Sequence, residues 1–227
     1  MAHGTMAEVV QARIKQLILQ DGLTPGDPLP SETELVNLLH VSRNSVREAL
    51  KALQALRIVE IRHGFGTFVG PLTLEPFVEG VAFRAAVGHH HGVPSLYELM
   101  EVREALEAGL VPAVARGLPA ADLAVLRSLV ERMATEARGG AVLSVTDRAF
   151  HQALYRSLGN HLLSEVLDAF WEALRRVRDD LSDDSQDPQV TYRQHLAIVE
   201  ALEAGDGDRA VAAMHRHFDG IRRRLAE

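Results

Sequence analysis

Leucine, isoleucine and valine fall three and four residues apart through most of this chain, the spacing of an amphipathic helix. Val10, Ile14, Leu17 and Ile18 form one stripe over residues 7–20, which predicts a helix closed by Gly22 and the turn at Pro25-Gly26-Asp27. Leu35, Leu38 and Leu39 predict a second, shorter one. Its start is marked by Ser31-Glu32-Thr33-Glu34, a capping box in which each end satisfies the other's N–H, with Pro30 blocking extension upstream. That helix must stop near His40-Val41. Ser42, a good N-cap residue, opens a third, with Val46, Ala49, Leu50, Leu53 and Leu56 facing inward. The period then changes: residues 58–61 and 67–69 are β-prone and joined by His63-Gly64-Phe65-Gly66, a hairpin with a Gly-rich tip.

From residue 77 onward the helical period alone persists. Helices are predicted over about 77–87, 95–116, 121–138, 144–157, 161–181, 188–204 and 208–226, broken at Gly139-Gly140, at Gly159 and in the acidic loop 181–188. His89-His90-His91, between glycines, reads as a solvated loop. Residues 1–5 (MAHGT) read as a cloning remnant, with Met6 a candidate natural start. The expected fold class is mainly α: a winged helix-turn-helix (residues 1–70), a linker (71–76), and an all-α antiparallel bundle of six or seven helices (77–227).

The third helix sets the chemistry of the first domain. Its outer face presents Arg43, Asn44, Ser45, Arg47 and Lys51 in the first turns, where a recognition helix meets base edges and phosphates. Arginine can fork onto guanine or pair with phosphate, and Asn44 can bridge adenine. The segments LPSETEL, VSRNSVREAL and HGFGTFV resemble the DNA-binding domain of the GntR family of bacterial transcription regulators, FadR subfamily. The resemblance implies that Arg43, Asn44, Arg47, His63 and Gly64 touch DNA. Thr33 departs from that pattern: the family usually has an operator-contacting Arg there, and Thr has neither its charge nor its reach.

The net charge of −7 runs against a general affinity for polyanions. Residues 1–75 hold seven Lys/Arg against eight Asp/Glu, and the remainder seventeen against twenty-three. Positive charge is thus local to residues 42–63, and binding is expected to depend on base contacts and on two copies acting together. The lack of cysteine removes disulfides, thiolate metal sites and Cys nucleophiles. No run approaches the length of a membrane span and no apolar signal core opens the chain, so a cytoplasmic protein is expected.

Eleven histidines are many for 227 residues. Asp147 and His151 are four apart and share a helix face. His195 and His217 lie equally far from Asp206, in the turn Gly205-Asp206-Gly207, so an antiparallel helix pair sets them at one level and in phase with its apolar face. Spacing alone leaves two readings open: hydrogen-bonded core histidines, or ligands of a borderline divalent ion (Zn²⁺, Ni²⁺ or Mn²⁺). His215 should face away from such a centre, and His161 should cap a helix or lie exposed. The segments ELMEVREALE, DRAFH, HLAIVEALEAGD and AVAAMHRHF resemble the FCD-type ligand-sensing domain that accompanies this winged helix. That resemblance implies a metal on Asp147, His151, His195 and His217, an organic acid beside it, and Arg103 facing the cavity to pair with a carboxylate effector. From the residues alone, Arg103 can equally be an exposed partner of Glu107.

The expected function is a metabolite-responsive transcriptional regulator, most simply a repressor, without catalytic activity. It should act as a homodimer on a near-palindromic double-stranded operator. The rivals are a metal-dependent hydrolase or lyase fused to a DNA-binding domain, and a regulator whose metal-free histidines touch the ligand directly.

Overall fold

The computed structural model describes residues 5–90, 95–178 and 187–226. The chain divides into two compact units, Met1–Pro76 and Phe77–Glu227. In the first, α1 (Met6–Gln20) buries Val10, Ile14 and Ile18, with Leu17 half-buried. Thr5 belongs to this fold despite its appearance as a leftover: its N–H donates to the Glu8 carboxylate at 2.6 Å and its hydroxyl accepts from the Glu8 N–H at 3.3 Å. The same box closes α2 (Glu32–Leu39), with Ser31 N–H to Glu34 Oε2 at 2.8 Å. His40 ends α2 in the left-handed region, φ 54°. Ser42 caps α3 (Arg43–Ala55), which buries Val46, Ala49, Leu50 and Leu53.

Two expected core positions are surface instead. Leu38 is 56% exposed, because it sits about 100° round the helix from Leu39 and only the Leu35–Leu39 stripe meets the core. Leu56 is 46% exposed, because α3 has ended and the residue serves as its C-cap.

The wing pairs β1 (Val59–Arg62) with β2 (Gly66–Val69), Val59 opposite Val69 and Arg62 opposite Gly66. The other edge of β2 is covered by the turn before α2: Leu29 N–H donates to Thr67 O and Val69 N–H to Asp27 O, both at 2.8 Å. Covering that edge keeps the backbone groups of β2 from pairing with another chain. Gly70 follows, and only glycine fits, since a Cβ would lie 2.4 Å from the Arg57 carbonyl oxygen.

The second unit is helical among the described residues: α4 (Glu75–His90), α5 (Ser95–Gly117), α6 (Ala120–Arg138), α7 (Ser144–Arg156), α8 (His161–Arg178), α9 (Pro188–Glu203) and α10 (Gly207–Ala226). The chain is therefore mainly α, a winged helix-turn-helix followed by a helical domain. α4 starts inside the expected linker and continues through His89 and His90, so these two are helical where a loop was expected; His91 and most of the acidic stretch 181–188 lie outside the described residues. Gly88 interrupts no hydrogen bonding within a helix, only weakens it. The core gathers Met100, Val111, Val114, Leu126, Met133, Phe150, Leu154, Ile198, Met214 and Phe218, each under 2% exposed. No helix of the described residues is long and apolar enough to cross a membrane.

Candidate metal centre and nucleic-acid face

In the first unit Arg43, Asn44 and Arg47 stand exposed on the first turns of α3, and Ser45 is half-buried. The Ser45 N–H donates to Ser42 Oγ at 3.1 Å and the two hydroxyls lie 2.8 Å apart, so Ser45 helps to close the helix start. Arg47 Nε donates to Glu32 Oε2 at 2.8 Å, on the surface. Such a pair contributes about 0–1 kcal/mol, little enough for a phosphate to displace the carboxylate. His63 and Gly64 are exposed at the wing tip, where Gly64 has φ 82° and its neighbour Phe65 is 84% exposed. Thr33 is exposed in the first turn of α2.

In the second unit three helices converge on one point. Asp147 and His151 come from successive turns of α7, His195 from α9 and His217 from α10. The α9–α10 turn is built by Gly205 (φ 64°), with Gly205 N–H to Leu202 O and Asp206 N–H to Ala201 O, each at 3.0 Å. These bonds satisfy the last carbonyls of α9 and reverse the chain. The His195 and His217 rings then lie 4.5 Å apart between centroids, and His151 lies 5.6 and 5.2 Å from them. One potential ligand atom from each of the four residues falls within 4.8 Å of the others. His151, His195 and His217 are 0–2% exposed, and the Asp147 side chain 19%.

Each outer contact fixes a ring. His195 Nδ1 donates to the Thr191 carbonyl at 2.8 Å, and His151 Nδ1 lies 2.5 Å from Glu107 Oε2. Both leave Nε2 pointing inward, since an outer hydrogen bond at Nδ1 sets the tautomer of a metal-binding imidazole. Those Nε2 atoms, both ring nitrogens of His217 and Asp147 Oδ1 have no hydrogen-bond partner; the 2.7 Å approach of Asp147 Oδ1 to His195 Nε2 lacks the alignment of one. Buried polar atoms are normally bonded, and a carboxylate with three imidazoles turned on a common point fits a divalent ion. Two of the charge states agree, while His151 runs the other way, burial being outweighed by Glu107 and Asp147, which raise its imidazole above the usual range. Burial, with the positive charge of neighbours, holds the His217 imidazole well below its usual range, hence neutral. Burial opposes ionisation of Asp147, but contacts with His151 and His195 outweigh it and keep the carboxyl well below the carboxylate range.

Arg103 on α5 is 1% exposed and does pair with Glu107, Nε to Oε1 at 2.6 Å, but in the core and not in solvent. Its guanidinium carbon sits 4.3 Å from the Trp171 ring centroid and 5.3 Å from that of Phe218. Arg103 Nη2 and Trp171 Nε1 are both buried without a partner. Glu107 therefore holds Arg103 with one oxygen and His151 with the other, and its backbone carbonyl accepts from Tyr155 Oη at 3.1 Å. Burial would push the Glu107 carboxyl up, yet Arg103 and His151 bring it down to about 2. Glu107 as a link between the centre and Arg103, and Trp171 as a free donor, had no signal beyond helix phase.

Two other histidines of the second unit, His215 and His161, stand apart from this centre. His215 is half-exposed, its Nδ1 2.6 Å from Glu104 Oε1. Glu104 also takes Arg222, so that Arg crosses to α5, where a complement to the α10 dipole was expected. His161 is exposed while Asn160 Oδ1 accepts from the Leu163 N–H at 3.1 Å, making Asn160 the cap.

Two family profiles match. The one described as bacterial regulatory proteins, gntR family, covers residues 6–69, and that of the FCD domain covers 98–220. The HTH-type transcriptional regulator LutR of Bacillus subtilis is 31% identical over 210 residues, spanning 90% of this chain and 94% of that protein. The galactonate operon transcriptional repressor of Escherichia coli is 27% identical, spanning 92% of each chain. The transcriptional repressor NanR of Citrobacter rodentium is 28% identical, spanning 97% of this chain and 85% of that one. Among solved structures, a Streptococcus agalactiae GntR protein superposes with a TM-score of 0.67 at 24% identity, spanning 96% of this chain and 99% of that one.

Proposed function

Given that this chain belongs to the GntR family of bacterial regulatory proteins and carries an FCD domain, a transcriptional regulator and not an enzyme, we propose that it is a metal-containing, metabolite-responsive repressor. It acts in the cytoplasm as a homodimer on an operator with two-fold symmetry. Arg43, Asn44 and Arg47 read the major groove from α3, Ser45 secures the helix start beside the phosphates, and His63 with Gly64 reaches the flanking backbone from the wing. The exposed α3 N-terminus, with its partial positive charge, adds an anion contact. The fusion to a hydrolase or lyase is set aside, since the relatives are regulators throughout.

A single observation carries the metal part of this reading: one carboxylate oxygen and a ring nitrogen from each of three imidazoles, unpartnered and turned on each other in the core of the second unit. Asp147, His151, His195 and His217 would hold a Zn²⁺, Ni²⁺ or Mn²⁺ ion, which would supply positive charge toward a carboxylate effector. Arg103 adds a second cation beside that ligand. Effector binding lowers operator affinity by about 1–3 kcal/mol, and operator DNA must weaken effector binding by the same factor.

The test combines two measurements on the purified chain. Selection from a random duplex pool should return an inverted repeat, and elemental analysis should find about one divalent ion per chain. A pool enriched in no repeat would remove the dimeric operator. A metal-free protein that still binds its effector would favour histidines acting directly on the ligand.

A further inference from the structure

The wing ends in an aromatic side chain that its own unit leaves uncovered. Phe65 is 84% exposed, whereas Phe68 of the same hairpin is half-buried and holds the Arg62 guanidinium carbon 4.3 Å from its ring centroid. An exposed apolar side chain is ordinary by itself. The mounting of this one is not. Phe65 stands between Gly64 and Gly66, whose φ values of 82° and 114° lie in the region that favours glycine. Its N–H donates to the Arg62 carbonyl at 2.9 Å, and Arg62 lies opposite Gly66 in the ladder, so the tip is closed. Behind the tip, β2 is bonded to β1 on one side and to Asp27 and Leu29 on the other. The ring is thus held out on a stiff support, and little ordering is needed when it enters a partner.

Charge and shape select that partner. Residues 61–69 contain no Asp or Glu, and His63 stands exposed beside the ring, so the tip meets a polyanion without repulsion. The tip is also slim, because Phe65 is the one residue with a side chain between His63 and Thr67. A minor groove about 6 Å wide admits it. The donors and acceptors there are nearly degenerate, so a ring can sense little except how easily neighbouring base pairs part. Arg62 is not free to read the groove, being held by Glu60 at 2.8 Å and by the Phe68 ring.

We propose that Phe65 is a wedge. Resting on the DNA-binding reading above, the wing carries the ring into the minor groove beside the bases met by α3, where it enters between two stacked base pairs and bends the duplex. Pyrimidine–purine steps unstack most readily and A-tracts are stiff, so Phe65 adds a sequence preference at a step where no hydrogen bond is made. His63 and Gly64 seat the tip on the backbone, and Phe65 senses deformability.

The test uses the full chain, Phe65→Ala and Phe65→Leu, with duplexes selected from a random pool. The unaltered chain is expected to return a pyrimidine–purine step flanking each half-site, which Phe65→Ala no longer selects. On a duplex labelled at both ends, energy transfer should show a bend of about 20° or more with the unaltered chain and with Phe65→Leu, but a straighter duplex with Phe65→Ala. Phe65→Ala should bind that duplex about tenfold more weakly at an unchanged salt slope, since no phosphate contact is lost. An A-tract placed at the step should weaken the unaltered chain about tenfold and leave Phe65→Ala unaffected. Equal bending by the unaltered chain and Phe65→Ala, the same affinity loss on both duplexes, or a shallower salt slope would each overturn the wedge. A lowered thermal midpoint in Phe65→Ala would also overturn it, because the ring would then be packed on the protein. An unaltered chain that selects no repeat overturns the DNA-binding reading itself, and that failure appears before any variant is compared.

Discussion

Arg43, Asn44 and Arg47 stand in solvent on α3, while His151, His195 and His217 are at most 2% exposed in the second unit. In the winged helix the proposed DNA-reading face and the core occupy opposite sides of one helix. Val46, Ala49, Leu50 and Leu53 hold α3 in place, and the outer residues are free to change. In the helical domain the proposed site residues are part of the core. Glu107 is 0% exposed and is bonded to Arg103 and His151 together, so altering the site also alters what holds α5 to α7. A surface reader can gain new sequence preference without losing stability, whereas a buried sensor must change several residues at once.

The contrast is tested hardest at Glu107. Glu107→Ala leaves a guanidinium and an imidazole without their shared carboxylate, and is expected to cost about 3–5 kcal/mol of unfolding free energy. Urea denaturation measures it, and a loss below about 1 kcal/mol would mean that the pair is not closed in the core. Arg103→Ala strands Glu107 in the same way, and so is a stability variant as much as a test of effector response.

His217→Ala comes next. The variant should lose stoichiometric metal and, at saturating ion, about 3–4 kcal/mol of ligand-linked stability, while His215→Ala, pointed at Glu104, should keep its metal. Equal metal content in the two variants would break the assignment of the centre.

For the exposed face the expectation reverses. Arg47→Ala should weaken operator binding by about 1–3 kcal/mol and leave unfolding unchanged within about 0.5 kcal/mol. A titration at fixed salt that showed no change in affinity would take this part of α3 out of the interface. The smallest effect belongs to Thr33→Arg: one added phosphate contact should steepen the salt dependence of operator affinity by about one unit of log–log slope, with no change in stability. An unaltered slope would place the first turn of α2 away from the DNA.

Much of this was legible because short signals fix helix ends and period fixes faces. Ser31, Ser42, Gly139 and Gly205 each mark a boundary the structure keeps, and the equal spacing of His195 and His217 about Asp206 sets the two rings side by side. Glu107 and Trp171 were not legible in that way. Each is one letter in a helix, and its part arises only when α5, α7, α8 and α10 meet. Leu38, Leu56 and His89-His90 show the same limit at smaller scale: period names a stripe, but neighbours decide how wide it is and where the helix stops.

The α9–α10 turn has a consequence for how such chains vary in length. Residues added within Gly205-Asp206-Gly207 lengthen a loop, which costs little. One residue added between His195 and that turn, or between the turn and His217, rotates an imidazole by about 100° and shifts it by about 1.5 Å along the helix. Insertions inherited by descendants of this protein should therefore collect in the turn, and the two helical arms should keep their length even where little else of their sequence is kept.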